Sequence, residues 1–214
     1  KKNIQYHYDL GNKFYTKWLD RSMTYSSAYF EKENQNLFDA QLNKYHKIAE
    51  SLNLNEDSKV LEIGCGWGGF SSYAAKNFKS KIDAITISKE QYEYASNKIQ
   101  KEGLGEKVSI KFKDYRDIDN QYSNIASIEM FEAVGKKYWE NYFDIVSNSL
   151  INSGKAALQI ITIDENRSLK YKNQPDFIQQ YIFPGGMLPT KKELLEINNR
   201  AGLDFKEIKS FGLS

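Results

Sequence analysis

Val60-Leu61-Glu62-Ile63-Gly64-Cys65-Gly66-Trp67-Gly68-Gly69 reads as an apolar strand that runs into a glycine loop and opens a helix. Glycine permits a tight turn and lets backbone N–H groups approach a ligand without Cβ interference. Gly64, Gly66 and Gly69 match the G-x-G-x-x-G spacing of dinucleotide sites, a weak signal taken alone. Glu62 separates the two readings, because a carboxylate near the end of a buried strand is costly unless a cation or several donors compensate it. S-adenosylmethionine brings an ammonium and a sulfonium, whereas a pyrophosphate brings repulsion. The pattern Glu62-x-Gly64-x-Gly66-x-Gly68 therefore favours the sulfonium cofactor.

Downstream, short β-branched runs alternate with longer amphipathic stretches, the pattern of βαβ units around a parallel, doubly wound sheet. Strands are expected at 59–63, 81–87, 108–112, 125–130, 156–163 and 205–211, and helices at 67–77, 89–102, 136–150 and 191–200. Ser88 is placed to cap the helix that follows it, and Gly103 and Gly154 read as stops. Asp83 lies too near the start of its strand to act as the acidic ribose ligand of a nicotinamide site. At that strand's other end Thr86, Ser88 and Gln91 can each hydrogen-bond a ribose. After the third strand, Asp114-Tyr115-Arg116 offers a ring and polar edges to an adenine.

Upstream, Leu37, Leu42, Tyr45 and Ile48 fit one helix face, so 36–52 reads as part of an appended cap. The long insertion with Pro175, Pro184-Gly185-Gly186 and Pro189 falls at the carboxyl edge of the sheet, where it would cover the ligand crevice. One domain is expected, with a cap at 1–57, a cofactor-binding core at 58–163, a substrate-covering insertion at 164–190 and a last helix and strand at 191–214. A seventh strand would have no room before Ser214, so a trimmed chain is expected.

Charge and composition exclude several classes. The 30 basic and 28 acidic residues nearly cancel, so no strong field would draw in nucleic acid. A single cysteine, Cys65, cannot build a disulfide framework, and no apolar run is long enough for a membrane span, so a cytoplasmic protein is expected. No Cys, His and Asp cluster stands at ligand spacing, so no metal is expected. The 15 Tyr and 12 Phe are rich near 6–29 and 171–183, suggesting apolar walls around a ligand. Lys1, Lys2, Lys13, Lys17 and Trp18, interleaved with aromatics, suit a lipid surface. His7 reads as a pocket-wall residue and His46 as part of the cap helix.

Five further segments carry a resemblance. His7-Tyr8-Asp9-Leu10-Gly11-Asn12, Met23-Thr24-Tyr25-Ser26-Ser27, 85–91 (Ile-Thr-Ile-Ser-Lys-Glu-Gln), Glu129-Met130-Phe131-Glu132-Ala133-Val134-Gly135 and 181–189 (Tyr-Ile-Phe-Pro-Gly-Gly-Met-Leu-Pro), with the glycine loop, run in order over nearly the whole chain. They resemble the signature segments of the cyclopropane-fatty-acyl-phospholipid synthases and related lipid methyltransferases. The resemblance implies an α/β, class I S-adenosylmethionine methyltransferase fold, Rossmann-like, with a helical cap and a lid and without its last C-terminal strand. It implies transfer of a methyl(ene) group to the cis double bond of unsaturated phospholipid acyl chains at a membrane surface, giving cyclopropane chains; a homodimer is left open.

In that family a bound bicarbonate deprotonates the carbocation formed by methyl transfer. The resemblance assigns Glu132 to hold the bicarbonate, with Ser27 contributing its backbone N–H, Gln159 its amide, and Ile161 a carbonyl or amide contact. Tyr25 falls at both the reacting chain and the cofactor, and Ser26 beside the cofactor. Phe14, Tyr15, Tyr25, Phe131, Tyr181 and Phe183 would line an apolar, cation-tolerant tunnel. Ser27 stands where the best-known members carry cysteine, Ala133 where many carry histidine, and Gln159 where they place another histidine. These departures bear on the product, ring or methylene branch, more than on the first step. A small-molecule methyltransferase, a catalytically silent cofactor- or lipid-binding paralogue and, last, a nicotinamide oxidoreductase stand as alternatives.

Overall fold

The computed structural model describes residues 11–211. Val60 packs into one apolar cluster while Leu61 and Ile63 pack into another, because successive strand residues face opposite sides. Both sides of the central strand are therefore dry, which is why β1 (Lys59–Ile63) is buried at every position from Val60 onward. β2 (Lys81–Thr86), β3 (Val108–Phe112), β4 (Tyr122–Ile128) and β5 (Leu150–Gln159) complete a parallel sheet in the order β3-β2-β1-β4-β5. The order reverses between β1 and β4, and the crevice beyond their carboxyl ends is where such sheets take ligands.

Before β1 lie the short α1 (Asn12–Tyr15) and the cap helix α2 (Leu37–Ser51). Between and after the strands come α3 (Gly69–Phe78), α4 (Lys89–Lys101), α5 (Trp139–Asn148), α6 (Glu165–Asn173) and α7 (Lys191–Arg200). One face of the sheet is covered by Tyr45, Ala49 and Leu52 with Phe70, Ala74 and Ile99; the other by Tyr142, Phe143, Val146 and Ile197. Two devices fasten the N-terminal region over the glycine loop. Trp67 Nε1 donates to Asn12 Oδ1 at 2.6 Å, and the Tyr45 hydroxyl meets Thr24 Oγ1 at 2.5 Å. Gly69 is required below Tyr45, since a Cβ there would strike its hydroxyl.

Ser88 caps α4 as expected, its Oγ accepting from Gln91 N–H at 3.3 Å, and Gly103 with φ 68° stands just past that helix. Three expectations are corrected. β5 begins six residues earlier than expected, at Leu150, and Gly154 lies inside it instead of ending a helix. A Cβ at Gly154 would press on the Ile151 and Ser123 carbonyls, beside the register shift between β4 and β5. The expected strand at 205–211 does not form: its apolar residues Phe205, Ile208 and Phe211 recur every three positions, not every two, and it pairs with no strand. The insertion holds α6 and a π-helical turn, Ile178–Ile182.

Candidate functional site

The glycine loop closes the carboxyl end of β1. Gly64 and Cys65 both donate their N–H to Ile85 O at 3.0 Å, and Gly64 and Gly66 adopt φ of 79° and 53°. Gly64 must be glycine for a second reason, because a Cβ would lie 2.7 Å from Met130 Cγ. Glu62 is buried beneath this turn and accepts from the Ser71 hydroxyl. Burial lifts its pKa to about 7, against the pull of the Ser71 donors and the more distant Lys98. A buried carboxylate that lines a pocket under a glycine turn fits a ligand with a cationic amino acid end, and S-adenosylmethionine is such a ligand.

Of the residues expected at the cofactor, Tyr25, Ser26, Glu62, Gly64, Gly66, Thr86, Gln91, Asp114, Tyr115 and Arg116 line one pocket. Gly68 and Ser88 do not reach it: Gly68 caps α3 and Ser88 caps α4. Thr86 Oγ1 donates to Gln91 Oε1 at 2.9 Å, which holds the β2–α4 turn. Arg116 grips Asp114 through Nε at 2.9 Å and Nη2 at 2.7 Å, so its guanidinium orients the carboxylate at the pocket wall.

The residues assigned to the reacting end cluster around the loop after β4. Glu132 accepts from the Ile161 N–H, and burial raises its pKa to about 7, with repulsion from Glu129 adding to the rise. Ser27 N–H donates to Glu129 Oε1 at 2.9 Å, and Gln159 Nε2 donates to the same oxygen at 2.7 Å. Glu129, which the motif reading quoted without assigning a role, is thus the hub of this cluster. The donors that the resemblance sets aside for bicarbonate are engaged by the chain's own carboxylates, and a third anion does not fit among them. Behind them, Lys44 is buried on the cap helix, its Nζ donating to Ser26 Oγ at 2.6 Å. Burial depresses the Lys44 pKa to about 7, opposed by attraction to Glu129 and Asp20. Neither Lys44 nor Glu129 carried a signal of its own in sequence; only the fold brings positions 44, 26, 27, 129 and 159 together.

The aromatic lining is corrected in part. Tyr25 and Phe183 do line the pocket, their rings 6.4 Å apart. Phe131 instead fills the core against Trp139, Tyr142 and Phe143, and Tyr15 is buried against Trp67 at 4.9 Å. Phe14 and Tyr181 face outward. Tyr45, Trp67, Phe70 and Tyr138, which were not expected in the lining, line the pocket in their place. The lid segment is tied to the site, since Met187 N–H donates to Glu132 O at 2.9 Å and Gly186 packs closely, where a Cβ would sit 3.1 Å from Phe183 O and 3.2 Å from Glu132 O. His7, Lys1 and Lys2 lie outside the described residues.

Comparison with known proteins agrees with this fold. Residues 1–214 match the family described as mycolic acid cyclopropane synthetase. The chain is 40% identical over 190 residues to the cyclopropane-fatty-acyl-phospholipid synthase of Escherichia coli K12, covering 89% of this chain and 47% of that protein. It is 36% identical over 207 residues to the tuberculostearic acid methyltransferase of Mycobacterium tuberculosis, covering 94% of this chain and 48% of the relative. The chain thus spans about half the length of the curated relatives it matches. A cyclopropane synthase structure from M. tuberculosis superposes with a TM-score of 0.90 at 25% identity, over 98% of this chain and 77% of that one. A mycolic acid cyclopropane synthase complexed with SAH and CTAB gives 0.90 at 26% identity, with the same coverage.

Proposed function

The chain belongs to the mycolic acid cyclopropane synthetase family, and on that premise we propose that it methylates the cis double bond of unsaturated phospholipid acyl chains with S-adenosylmethionine, yielding cyclopropane chains. The observation that carries this reading is Glu62, a buried carboxylate that lines a pocket shared with Tyr25, Tyr115 and Phe183. When bound, the cofactor supplies an electrophilic methyl group. Glu62 and the glycine loop would hold the amino acid end, while the Arg116-oriented Asp114 and the Tyr115 ring would hold the adenosine end. Tyr25 and Phe183 exclude water and present π faces to positive charge developing on the chain. Glu132, held by the Ile161 amide and covered by Met187, keeps the loop after β4 in place at the reacting end.

A second product, a methyl- or methylene-branched chain, is supported by Ala133 and Gln159 at positions where cyclopropane-forming members carry histidines, and by the likeness to a tuberculostearic acid methyltransferase. Exposed Leu169, Phe177, Ile178 and Tyr181 on the insertion, and Phe14 and Trp18 beside Lys13 and Lys17, support peripheral contact with a lipid surface. No described helix is long and apolar enough to cross a membrane.

The test is incubation with labelled S-adenosylmethionine and vesicles of unsaturated phospholipid, followed by mass analysis of the acyl chains. A gain of about 14 mass units per modified chain is expected, the CH₂ left by methyl transfer and proton loss. NMR of the product separates a ring from a methylene branch. Transfer to soluble acceptors with no vesicle requirement would overturn the lipid assignment.

A further inference from the structure

Glu129 lies just past β4, next to the Gly64 turn, and adopts φ 47°. Residues other than glycine rarely hold that conformation, and such strain persists where the surroundings fix a side chain in one place. Here the fixing groups are Ser27 N–H at 2.9 Å and Gln159 Nε2 at 2.7 Å, both on Oε1. The Gln159 amide has one admissible orientation, because Nε2 also faces Ser27 O at 3.3 Å and a flip would aim its oxygen at two acceptors. Lys44 Nζ fixes the neighbouring Ser26 by donating to its Oγ at 2.6 Å. The buried side-chain atoms left without partners in this wall, Glu132 Oε2 and Gln159 Oε1, are both acceptors. An incoming anion would find its donors taken and two carboxylates in its way.

We propose that the Glu129 carboxylate occupies the anion position of this site and is the proton acceptor of the reaction, in place of a bound bicarbonate. This rests on the methyl-transfer reading above. Once the double bond has gained a methyl group, the acyl chain carries a carbocation on the neighbouring carbon and must lose one proton, from the new methyl group if a three-membered ring closes or from a carbon beside the cation if a double bond forms. Glu129 takes that proton, and the C–H electron pair moves to the cationic carbon, as the closing bond of a ring or as a new double bond. The protonated Glu129 then returns its proton to water at the pocket mouth. Glu129 is a catalytic residue in the strict sense, touching the reacting atoms, while Ser27, Gln159 and Lys44 position it.

The experiment compares the full chain with Glu129→Gly and Glu129→Gln. Glycine at 129 meets the local φ without strain, which guards against misfolding. Turnover on unsaturated phospholipid vesicles is measured in carbon-dioxide-free buffer with and without added bicarbonate, cofactor affinity by calorimetry, and bicarbonate binding by line broadening of its carbon-13 signal. The wild type is expected to turn over equally in both buffers and to leave the carbon-13 line sharp. Both variants keep cofactor affinity within about twofold and lose roughly 100-fold or more in turnover. Bicarbonate broadens its line and restores turnover by about 10-fold or more in Glu129→Gly, which vacates the position, and not in Glu129→Gln, which fills it. A wild type that fails in carbon-dioxide-free buffer, or a Glu129→Gly that matches it there, overturns this inference and leaves the methyl-transfer reading standing. A wild type that binds cofactor and methylates no acyl chain overturns both.

Discussion

At Glu62 the chain keeps a carboxylate out of water, and burial carries its pKa from 4.5 to about 7. The folded protein therefore holds this proton more tightly than the unfolded chain does. Its contribution to stability is complete below about 4.5 and is lost as pH climbs through about 7. A cationic ligand needs the ionised form, so cofactor affinity should rise as pH increases to about 7 and level off above it. Calorimetry in two buffers of different ionisation enthalpy should register proton release on binding at pH below that value; an affinity flat with pH would count against Glu62 as the counter-charge. Glu132→Gln should lower turnover about 10-fold and leave cofactor affinity near normal, since a neutral amide oxygen holds the Ile161 N–H less strongly than a carboxylate does. Unchanged turnover would remove Glu132 from the site. Glu62 and Glu132 were legible in the sequence because each sits in a short local pattern. Glu129 was not, because its partners lie 102 and 30 positions away and a linear motif records no such distance.

Among the elements, the match to sequence follows how much of each element's signal is local. The bounds of β1, β3 and α7 were read to the residue, with apolar runs or periodic faces between clear punctuation. At α7 that punctuation is a full capping box, Thr190 with Glu193. The start of β5 was missed because Gly154 resembles a stop, whereas its small size serves a crowded bulge. The joint between the cap helix α2 and the glycine loop was invisible in sequence and is open to test. Gly69→Ala sets a methyl against the Tyr45 hydroxyl and should cost about 1–3 kcal/mol. For a chain of this size that is roughly 2–4 °C of melting temperature per kcal/mol by calorimetric scan. Tyr45→Phe removes the hydroxyl and its bond to Thr24, at about 1 kcal/mol, and the double variant should be less unstable than the sum. Strict additivity would show that the two residues do not meet.

On the scale of the whole molecule, the carboxyl edge of the sheet gathers the cofactor loop, the carboxylates after β4 and the amide of β5 onto one side, and the insertion lies over them. The outer face of that insertion exposes Leu169 and Phe177, by 74% and 66%. Replacing both with Ser should weaken co-sedimentation with phospholipid vesicles by about 10-fold or more, at roughly 1–3 kcal/mol for each buried side chain, while cofactor binding stays unchanged. Equal sedimentation of variant and wild type would move the lipid contact elsewhere on the surface.

The bond from Met187 to the Glu132 backbone joins the cover to the chemical floor of the crevice. Raising the one frees the other. Any movement of the cover that breaks this bond therefore slackens the loop that carries Glu132, and the two keep their places only together.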